Sequence, residues 1–198
     1  MFDRVNLVAF LREVDALLTR SGTARIIGGA VISLAHVPSY KTRDIDYVWA
    51  DLEVDAAIRR VAAEHPELGY ASRTGVYFVP DGYENRFETL AIPGLVHLRV
   101  VIPERHDLAI MKITRGIERD IEAVAAMHAR DPFDLDTLVE RYRGTWLTGE
   151  QRLADVGFRA ALSSLFNDDT ADEGMDILAR LRSGGALPRR SSRRPRKT

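Results

Sequence analysis

The hydrophobic pattern of this chain changes at Pro103, and the change limits the folds that the chain can adopt. Before Pro103, short runs of β-branched and aromatic residues alternate with segments of helical period. After it, the apolar residues keep a helical period almost to the end of the chain. The patterns predict strands at 24–27, 44–50, 75–79, 87–92 and 95–102. They predict helices at 4–20, 30–36, 53–65, 104–114, 118–130, 133–143, 150–166 and 171–182.

This order predicts an α+β core at residues 1–103, an α-helical C-terminal lobe at 104–183 and a tail at 184–198, with a cleft where core and lobe meet. The chain has 198 residues, 45% of them hydrophobic, so it can fill a core. It has no cysteine, which removes disulfides and thiolate zinc sites and fits a reducing compartment. The longest nearly apolar stretch, 26–37, is too short to cross a bilayer, and the first residues lack the pattern of a signal peptide. We therefore expect a cytoplasmic protein that does not enter a membrane.

The formal net charge of −1 conceals a basic tail. Residues 184–198 hold six of the 28 Lys and Arg residues and none of the 29 acids. The rest of the chain therefore carries 22 basic against 29 acidic residues, a net charge near −7. Such a tail is either a disordered, solvated end or an arm that binds the phosphates of a nucleic acid.

Two aspartates alternate with apolar residues in the predicted strand 44–50. Strand parity places Asp44 and Asp46 with Val48 on one face, and Ile45, Tyr47 and Trp49 on the other. Two carboxylates held in a fixed relation are ligands that Mg²⁺ prefers. A solvated edge strand would also explain them. A second Asp-x-Asp, at 134–136, stands where a helix begins, and it is better explained by capping of that helix.

A Gly28-Gly29 pair follows the first predicted strand and opens a helix. Backbone N–H groups at such a corner attract anions, and glycine lets a phosphate approach the backbone closely. The Walker pattern and the dinucleotide-binding fingerprint are both absent. The same corner would also serve strand-to-helix packing without any ligand.

Three cations recur at helical spacing further along the chain. Lys112, Arg115 and Arg119 would share a face of one continuous helix and could bind a polyphosphate. Gly116 can break that helix, which would leave the three cations close together in a different register. The alternative is a solvated face with local ion pairs.

Taken together, these motifs resemble the signature of the polymerase-β-type nucleotidyltransferase superfamily. Gly28-Gly29, followed by 42–47 (Thr-Arg-Asp-Ile-Asp-Tyr), has the pattern of that signature. The chain is most similar to small bacterial nucleotidyltransferase-like proteins, including the toxins of abortive-infection type toxin–antitoxin systems. In that group a Lys…Arg…Arg-Asp segment lies far downstream, and residues 107–120 resemble it. The resemblance covers about residues 24–140.

The resemblance implies a nucleotidyltransferase fold, a small mixed sheet flanked by helices. It implies that Asp44 and Asp46 are catalytic and bind Mg²⁺ or Mn²⁺. Gly28 and Gly29 would cradle the triphosphate of a nucleotide such as ATP.

The downstream segment would supply the cations of the site. By the same resemblance, Lys112 is catalytic and contacts phosphate, Arg115 or Arg119 assists in binding the nucleotide, and Asp120 orients these cations. The implied reaction is transfer of a nucleoside monophosphate from the triphosphate to an acceptor hydroxyl on RNA or protein. The implied partner is the cognate antitoxin or toxin.

The chain departs from the family pattern at two positions. A third acid usually stands on a neighbouring strand, but strand 75–79 has none, and Asp81 and Glu88 are the substitutes. An Asp that often follows the Arg-Asp of the toxins is replaced by Ala123. These departures favour an alternative, a catalytically degenerate nucleotide-binding or antitoxin-like partner protein. A further alternative is an RNA-binding module driven by the basic tail.

Overall fold

The computed structural model describes residues 1–66, 70–73, 78–145 and 151–185, and for 70–73 it describes the backbone. Its five strands are β1 (Gly22–Ile27), β2 (Asp44–Ala50), β3 (Tyr70–Arg73), β4 (Glu88–Leu90) and β5 (Leu98–Ile102). The helices of the first part are α1 (Arg4–Ala16), α2 (Gly28–Val31), which continues as a π-helix over Ile32–His36, and α3 (Leu52–Glu64). The helices of the second part are α4 (Arg105–Ile113), α5 (Glu118–Arg130), α6 (Leu135–Arg143), α7 (Gln151–Leu165) and α8 (Asp168–Arg182).

The strands form one mixed sheet in the order β3-β2-β1-β5-β4. The pairs β1–β2 and β4–β5 are antiparallel, and β1–β5 and β2–β3 are parallel. Helices α1 and α3 pack on one face of this sheet. Ile45 and Tyr47 are buried there, with the Tyr47 hydroxyl donating to Asp55 at 2.7 Å. The predicted α+β class is confirmed.

The chain after Ile102 is helical in the residues that the structure describes. Tyr142 of α6 stacks on Phe158 of α7 with ring centroids 3.9 Å apart, and both rings are buried. The hydrophobic core runs without interruption from the sheet into these helices. The division at residue 103 therefore marks a change of secondary structure, and its status as a domain boundary stays a prediction.

Helix α1 is fastened to the sheet through a buried carboxylate. Asp15 accepts the backbone N–H groups of Val96, His97 and Leu98 at 2.5 to 3.1 Å. Burial opposes its charge, but these backbone donors outweigh that cost and lower its pKa. These hydrogen bonds fix the end of α1 against the start of β5.

Several predicted bounds need correction. Helix α1 ends at Ala16 and not at residue 20, and β4 has three residues where 87–92 was predicted. The predicted strand 75–79 falls mostly on residues that lie outside the described ones, and its last two residues are not in a strand. The tail beyond Gly185 also lies outside them.

Strand parity fails within β2. Arg25 pairs with Trp49, but the next residue, Ile26, pairs with Tyr47, so β2 holds one extra residue, Val48. This β-bulge reverses the alternation beyond it, because the side chains of paired residues lie on the same face. Trp49 therefore shares a face with Arg25 and is 38% exposed, and it does not lie on the face of Tyr47 as predicted.

The capping role predicted for the second Asp-x-Asp is confirmed for its first residue. Asp134 precedes α6, and its carboxylate accepts the Thr137 N–H at 2.8 Å and the Thr137 hydroxyl at 2.7 Å. Among the described residues, no helix is both long and apolar enough to cross a bilayer.

Candidate functional site

Asp46 and Gly28 meet at the end of the β1–β2 pair. Asp46 pairs with Ile27, the last residue of β1, and Gly28 follows with φ +74°. A Cβ on Gly28 would lie 3.1 Å from Oδ2 of Asp46. Any larger residue would be strained in this conformation and would crowd the carboxylate, so both the backbone and the site require glycine here.

Thr42 packs against Gly29 and positions the other aspartate, Asp44. A Cβ on Gly29 would stand only 2.7 Å from the Thr42 hydroxyl oxygen, so the two segments can touch only if residue 29 is glycine. Thr42 is buried, accepts the Asp44 N–H at 3.3 Å and donates to the Asp44 carbonyl at 3.1 Å. Phe2 pairs with Thr42 through two backbone hydrogen bonds. The start of β2 is therefore anchored from two sides.

The two carboxylates of β2 are half-buried and under-neutralised. Burial raises the pKa of Asp46, and the charge of Asp44 raises it further. Lys112 and Arg115 act against these effects. Neither carboxylate forms a hydrogen bond or an ion pair with any part of the chain that the structure describes.

Lys112 and Arg115 are held together by one buried carboxylate. The Lys112 ammonium lies 2.5 Å from Oδ1 of Asp120, and Arg115 Nε lies 2.8 Å from Oδ2. Lys112 and Asp120 are buried, whereas half of the Arg115 side chain is exposed. Asp120 thus orients a fixed cation and a more accessible one toward the same region.

The helix does not continue from Lys112 to Arg119. It ends at Ile113, and Gly116 makes the turn with φ +66° before α5 begins. Arg119 donates to the Lys41 carbonyl at 2.8 Å, and its guanidinium lies 5.8 Å from the centre of the Tyr40 ring. Arg119 is therefore placed against the segment that precedes β2.

That segment and α5 line an open cavity of about 440 Å³. Its wall carries three cations and one acid: Lys41, Arg43, Arg119 and Glu122. Ala123, which takes the place of the family's further Asp, is buried and also lines the wall. The cavity therefore has a net positive charge and favours an anion.

The residues that could supply a third acid lie elsewhere. The backbone N–H of Asp81 donates to the Gly144 carbonyl at 2.7 Å, so Asp81 lies against the end of α6. Glu88 is on β4, three strands away from β2 in the sheet, or about 14 Å at the usual strand spacing. Among the described residues, no three His, Asp or Glu side chains converge as a metal site.

The donor set nevertheless fits Mg²⁺ shared with a phosphate ligand. Magnesium is commonly held by one or two carboxylates, with water and substrate phosphates completing its shell. Asp44 and Asp46 supply those carboxylates, and no cation of the described residues is in direct contact with them. Together with Asp120, Lys112 and Arg115, these two aspartates make a group of five charged side chains, three negative and two positive. The excess negative charge favours binding of a cation.

Sequence reasoning missed the ion pairs at the start of α4, the helix that carries Lys112. Asp107, at the start of α4, is fully buried and accepts two hydrogen bonds from Arg86, at 2.7 and 2.9 Å. Arg141 Nε lies 3.2 Å from Oδ1 of the same carboxylate. These residues lie far apart in sequence, so no spacing could have indicated them. Tyr40 and Lys41 were also missed, although the basic residues on each side of Thr42 were a usable signal.

Fold and site together define a nucleotidyltransferase-like α+β protein. A family model described as "Nucleotidyltransferase of unknown function (DUF6036)" matches residues 5–159, and the chain belongs to this family. The match confirms the resemblance at the level of the superfamily, while the relation to toxins stays a prediction. Neither a curated protein nor a solved structure was found to match the chain.

Proposed function

We propose that this protein transfers a nucleoside monophosphate from a nucleoside triphosphate to a hydroxyl group of RNA or protein. The acceptor oxygen forms a bond to the α-phosphorus, and the bond from that phosphorus to the oxygen bridging to the β-phosphate breaks. Pyrophosphate leaves with the electron pair of the broken bond. The hydroxyl proton passes to solvent water, since no third carboxylate among the described residues stands beside Asp44 and Asp46.

The observation that carries this proposal is the pairing of an under-neutralised acid site with a fixed cation cluster. Asp46 interacts electrostatically with Lys112 and Arg115, but it has no direct ionic partner in the described chain. A buried or half-buried carboxylate in that condition is stabilised by a cation that the protein does not supply. Phosphoryl transfer needs such an arrangement, because positioning and charge neutralisation provide most of the catalysis.

Asp44 and Asp46 would hold Mg²⁺ or Mn²⁺, and the bound ion would neutralise the phosphates and polarise the α-phosphoryl group. Gly28 and Gly29 present backbone without side chains, so the triphosphate can approach closely there. Lys112 and Arg115 would contact its oxygens, with Asp120 fixing their positions. Arg119 would reach the same ligand from the cavity that it lines.

We propose further that the protein is the toxin of a toxin–antitoxin pair, with the cognate antitoxin as its partner. The support is the resemblance of residues 107–120 to the Lys…Arg…Arg-Asp segment of such toxins. The ion pairs of Lys112 and Arg115 with Asp120 further support a common role for the residues of that segment.

A second candidate is a nucleotide-binding or antitoxin-like protein that has lost turnover. It is favoured by one observation, the absence of a third acid near Asp44 and Asp46 in the described chain. It predicts that Mg²⁺ and nucleotide bind without any transfer.

Label transfer tests the proposal. The protein is incubated with each α-labelled triphosphate, Mg²⁺, and either total RNA or total cell protein as acceptor. We expect label on one acceptor class and none with Asp44→Asn/Asp46→Asn. The matched control is Asp168→Asn/Asp169→Asn, which removes two exposed charges from α8 and should leave transfer unchanged. Thermal shift with Mg²⁺ and nucleotide separates the two candidates, because binding without transfer supports the degenerate protein. If neither binding nor transfer is observed, both candidate functions are wrong.

A further inference from the structure

The β-bulge at Val48 builds a row of aromatic and cationic side chains on the sheet. The row lies on the face opposite to α1 and α3, because Trp49 and Arg25 pair across β1 and β2 beyond the bulge. Trp49 is 38% exposed and Arg25 is half-buried. The Trp49 indole is therefore partly exposed to solvent on this face.

The row has four members at regular spacing. The Arg25 guanidinium lies 5.5 Å from the centre of the Trp49 ring and 5.4 Å from that of Phe87. The Phe87 ring lies 5.8 Å from Tyr83. We call these four residues the stacking row. A cation held between two ring faces is stabilised by their π electrons and keeps its N–H donors free at the edge.

The charge of the stacking row is not neutralised within the described chain. Arg25 forms no ion pair there. Arg99, exposed on β5, pairs with Thr23 across β1 and lies on the same face. Two cations on a surface with accessible rings complement a ligand that carries both negative charge and flat unsaturated groups.

One end of the stacking row is anchored to the helical lobe. Arg86, which precedes Phe87, is clamped on the buried Asp107, and Asp81 is hydrogen-bonded to Gly144. The segment that carries Tyr83 and Phe87 therefore cannot move away without breaking the ion pair of Arg86 with the buried Asp107. Contacts outside the row thus hold the segment that carries two of its rings.

The stacking row continues the face that carries the acid pair. Asp46 pairs with Ile27, and Arg25 is two residues earlier on the same face of β1, about 7 Å along the strand. That separation is close to the breadth of one nucleotide. A base stacked on the row would therefore place its own sugar hydroxyls near Asp46.

We propose that the stacking row binds unpaired bases of a single-stranded RNA, which is the acceptor of the transferred nucleotide. This inference rests on the proposed function and selects RNA over protein as acceptor. Aromatic side chains interleaved with cations bind single strands because every base has a flat face for stacking and every linkage has a charge. The six cations of the tail add a second, sequence-independent attraction for the same polyanion.

Fluorescence of Trp49 tests this binding without any catalysis. The chain has two tryptophans, so Trp146→Phe leaves Trp49 as the only indole emitter. A ten-nucleotide RNA without self-complementarity is titrated in the absence of Mg²⁺ and triphosphate, beside a duplex of the same sequence. We expect the single strand to quench Trp49 and the duplex to bind at least tenfold more weakly, because its bases are already stacked.

Arg25→Gln should weaken binding of the single strand about tenfold, because it removes the cation that lies between two rings of the row. The matched control is Arg60→Gln, the same charge change on exposed Arg60 of α3, on the opposite side of the sheet. It should leave binding within twofold. If Arg25→Gln does not fold, anisotropy of a labelled RNA with Trp49→Leu gives the same comparison.

Equal binding of single strand and duplex, or equal effects of Arg25→Gln and Arg60→Gln, would overturn the inference. Label transfer to protein in RNase-treated extract that depends on Arg25 would also overturn it, and would make the row a protein-binding surface. The Asp44→Asn/Asp46→Asn variant should keep its binding of the single strand and lose transfer. Binding without transfer would contradict the proposed function alone, and transfer without single-strand binding would contradict the stacking row alone.

Discussion

Asp107 and Asp46 are both withdrawn from solvent, but the protein treats their charges in opposite ways. Asp107 is completely buried and is matched by two guanidinium groups, Arg86 and Arg141. Asp46 is half-buried beside the carboxylate of Asp44. Lys112 and Arg115 lie near Asp46, but neither forms an ion pair with it. Burial and Asp44 both raise its pKa. Asp107 is thus neutralised within the chain, and the contrast supports the proposal that a cation from outside the chain neutralises Asp46.

The largest effect should come from removing the satisfied acid. Asp107→Asn leaves Arg86 and Arg141 without their shared partner and should lower the free energy of unfolding by about 3 kcal/mol. Urea denaturation followed by circular dichroism measures this loss. The exposed Asp168 provides the control, since Asp168→Asn removes the same charge without a buried pair. A loss of similar size in both variants would show that Asp107 is no more important than a surface acid.

Gly28→Ala should have the next largest effect. It forces a Cβ into a positive-φ position and toward Oδ2 of Asp46, so we expect a loss of about 1–2 kcal/mol together with weaker nucleotide binding. Gly184→Ala has the same backbone strain at φ +86° but meets nothing within 4 Å. The difference between the two variants in thermal shift, with and without Mg²⁺ and nucleotide, isolates the contact with Asp46. Equal behaviour would contradict that contact.

Removing the under-neutralised acid should stabilise the fold. The folded chain holds the Asp46 proton more tightly than the unfolded chain, so stability falls as pH rises through the pKa of the folded carboxyl. At neutral pH the charged carboxylate therefore destabilises the protein. Asp46→Asn should raise Tm by about 1–3 °C while abolishing Mg²⁺-dependent nucleotide binding. A lower Tm would mean that Asp46 is already satisfied, as Asp107 is.

The smallest effect should appear in the pH dependence of ligand binding. Protonated Asp46 cannot bind a cation, and its pKa lies above that of an ordinary aspartate, so binding of Mg²⁺ and nucleotide should weaken a few-fold on acidification from neutral pH. Isothermal titration calorimetry at several pH values measures this change. Affinity that stays constant well into the acid range would place the pKa of Asp46 at or below its ordinary value.

Much of this site follows from local pattern. Asp44 and Asp46 were identifiable because alternation along β2 puts both carboxylates on one face, and β2 spans the residues that the alternation predicted. The break at Gly116 was also foreseeable, since glycine is the residue that takes a positive φ there. These features depend on neighbours in sequence.

The rest depends on contacts between distant segments. The bulge at Val48 is a property of the pairing of β1 with β2, so parity along β2 alone placed Trp49 on the wrong face. Likewise, Asp107 meets Arg86 and Arg141 only after the helical lobe has packed. Such contacts have no periodic signature, and the stacking row could be found only in three dimensions.

The backbone pairing of Phe2 with Thr42 has a practical consequence for anyone who handles this protein. Thr42 positions Asp44, and Met1 lines the cavity beside it. A purification tag fused to Met1 would therefore be attached beside this cavity and next to the residue that pairs with Thr42. Nucleotide binding should therefore be measured on protein from which any amino-terminal tag has been removed.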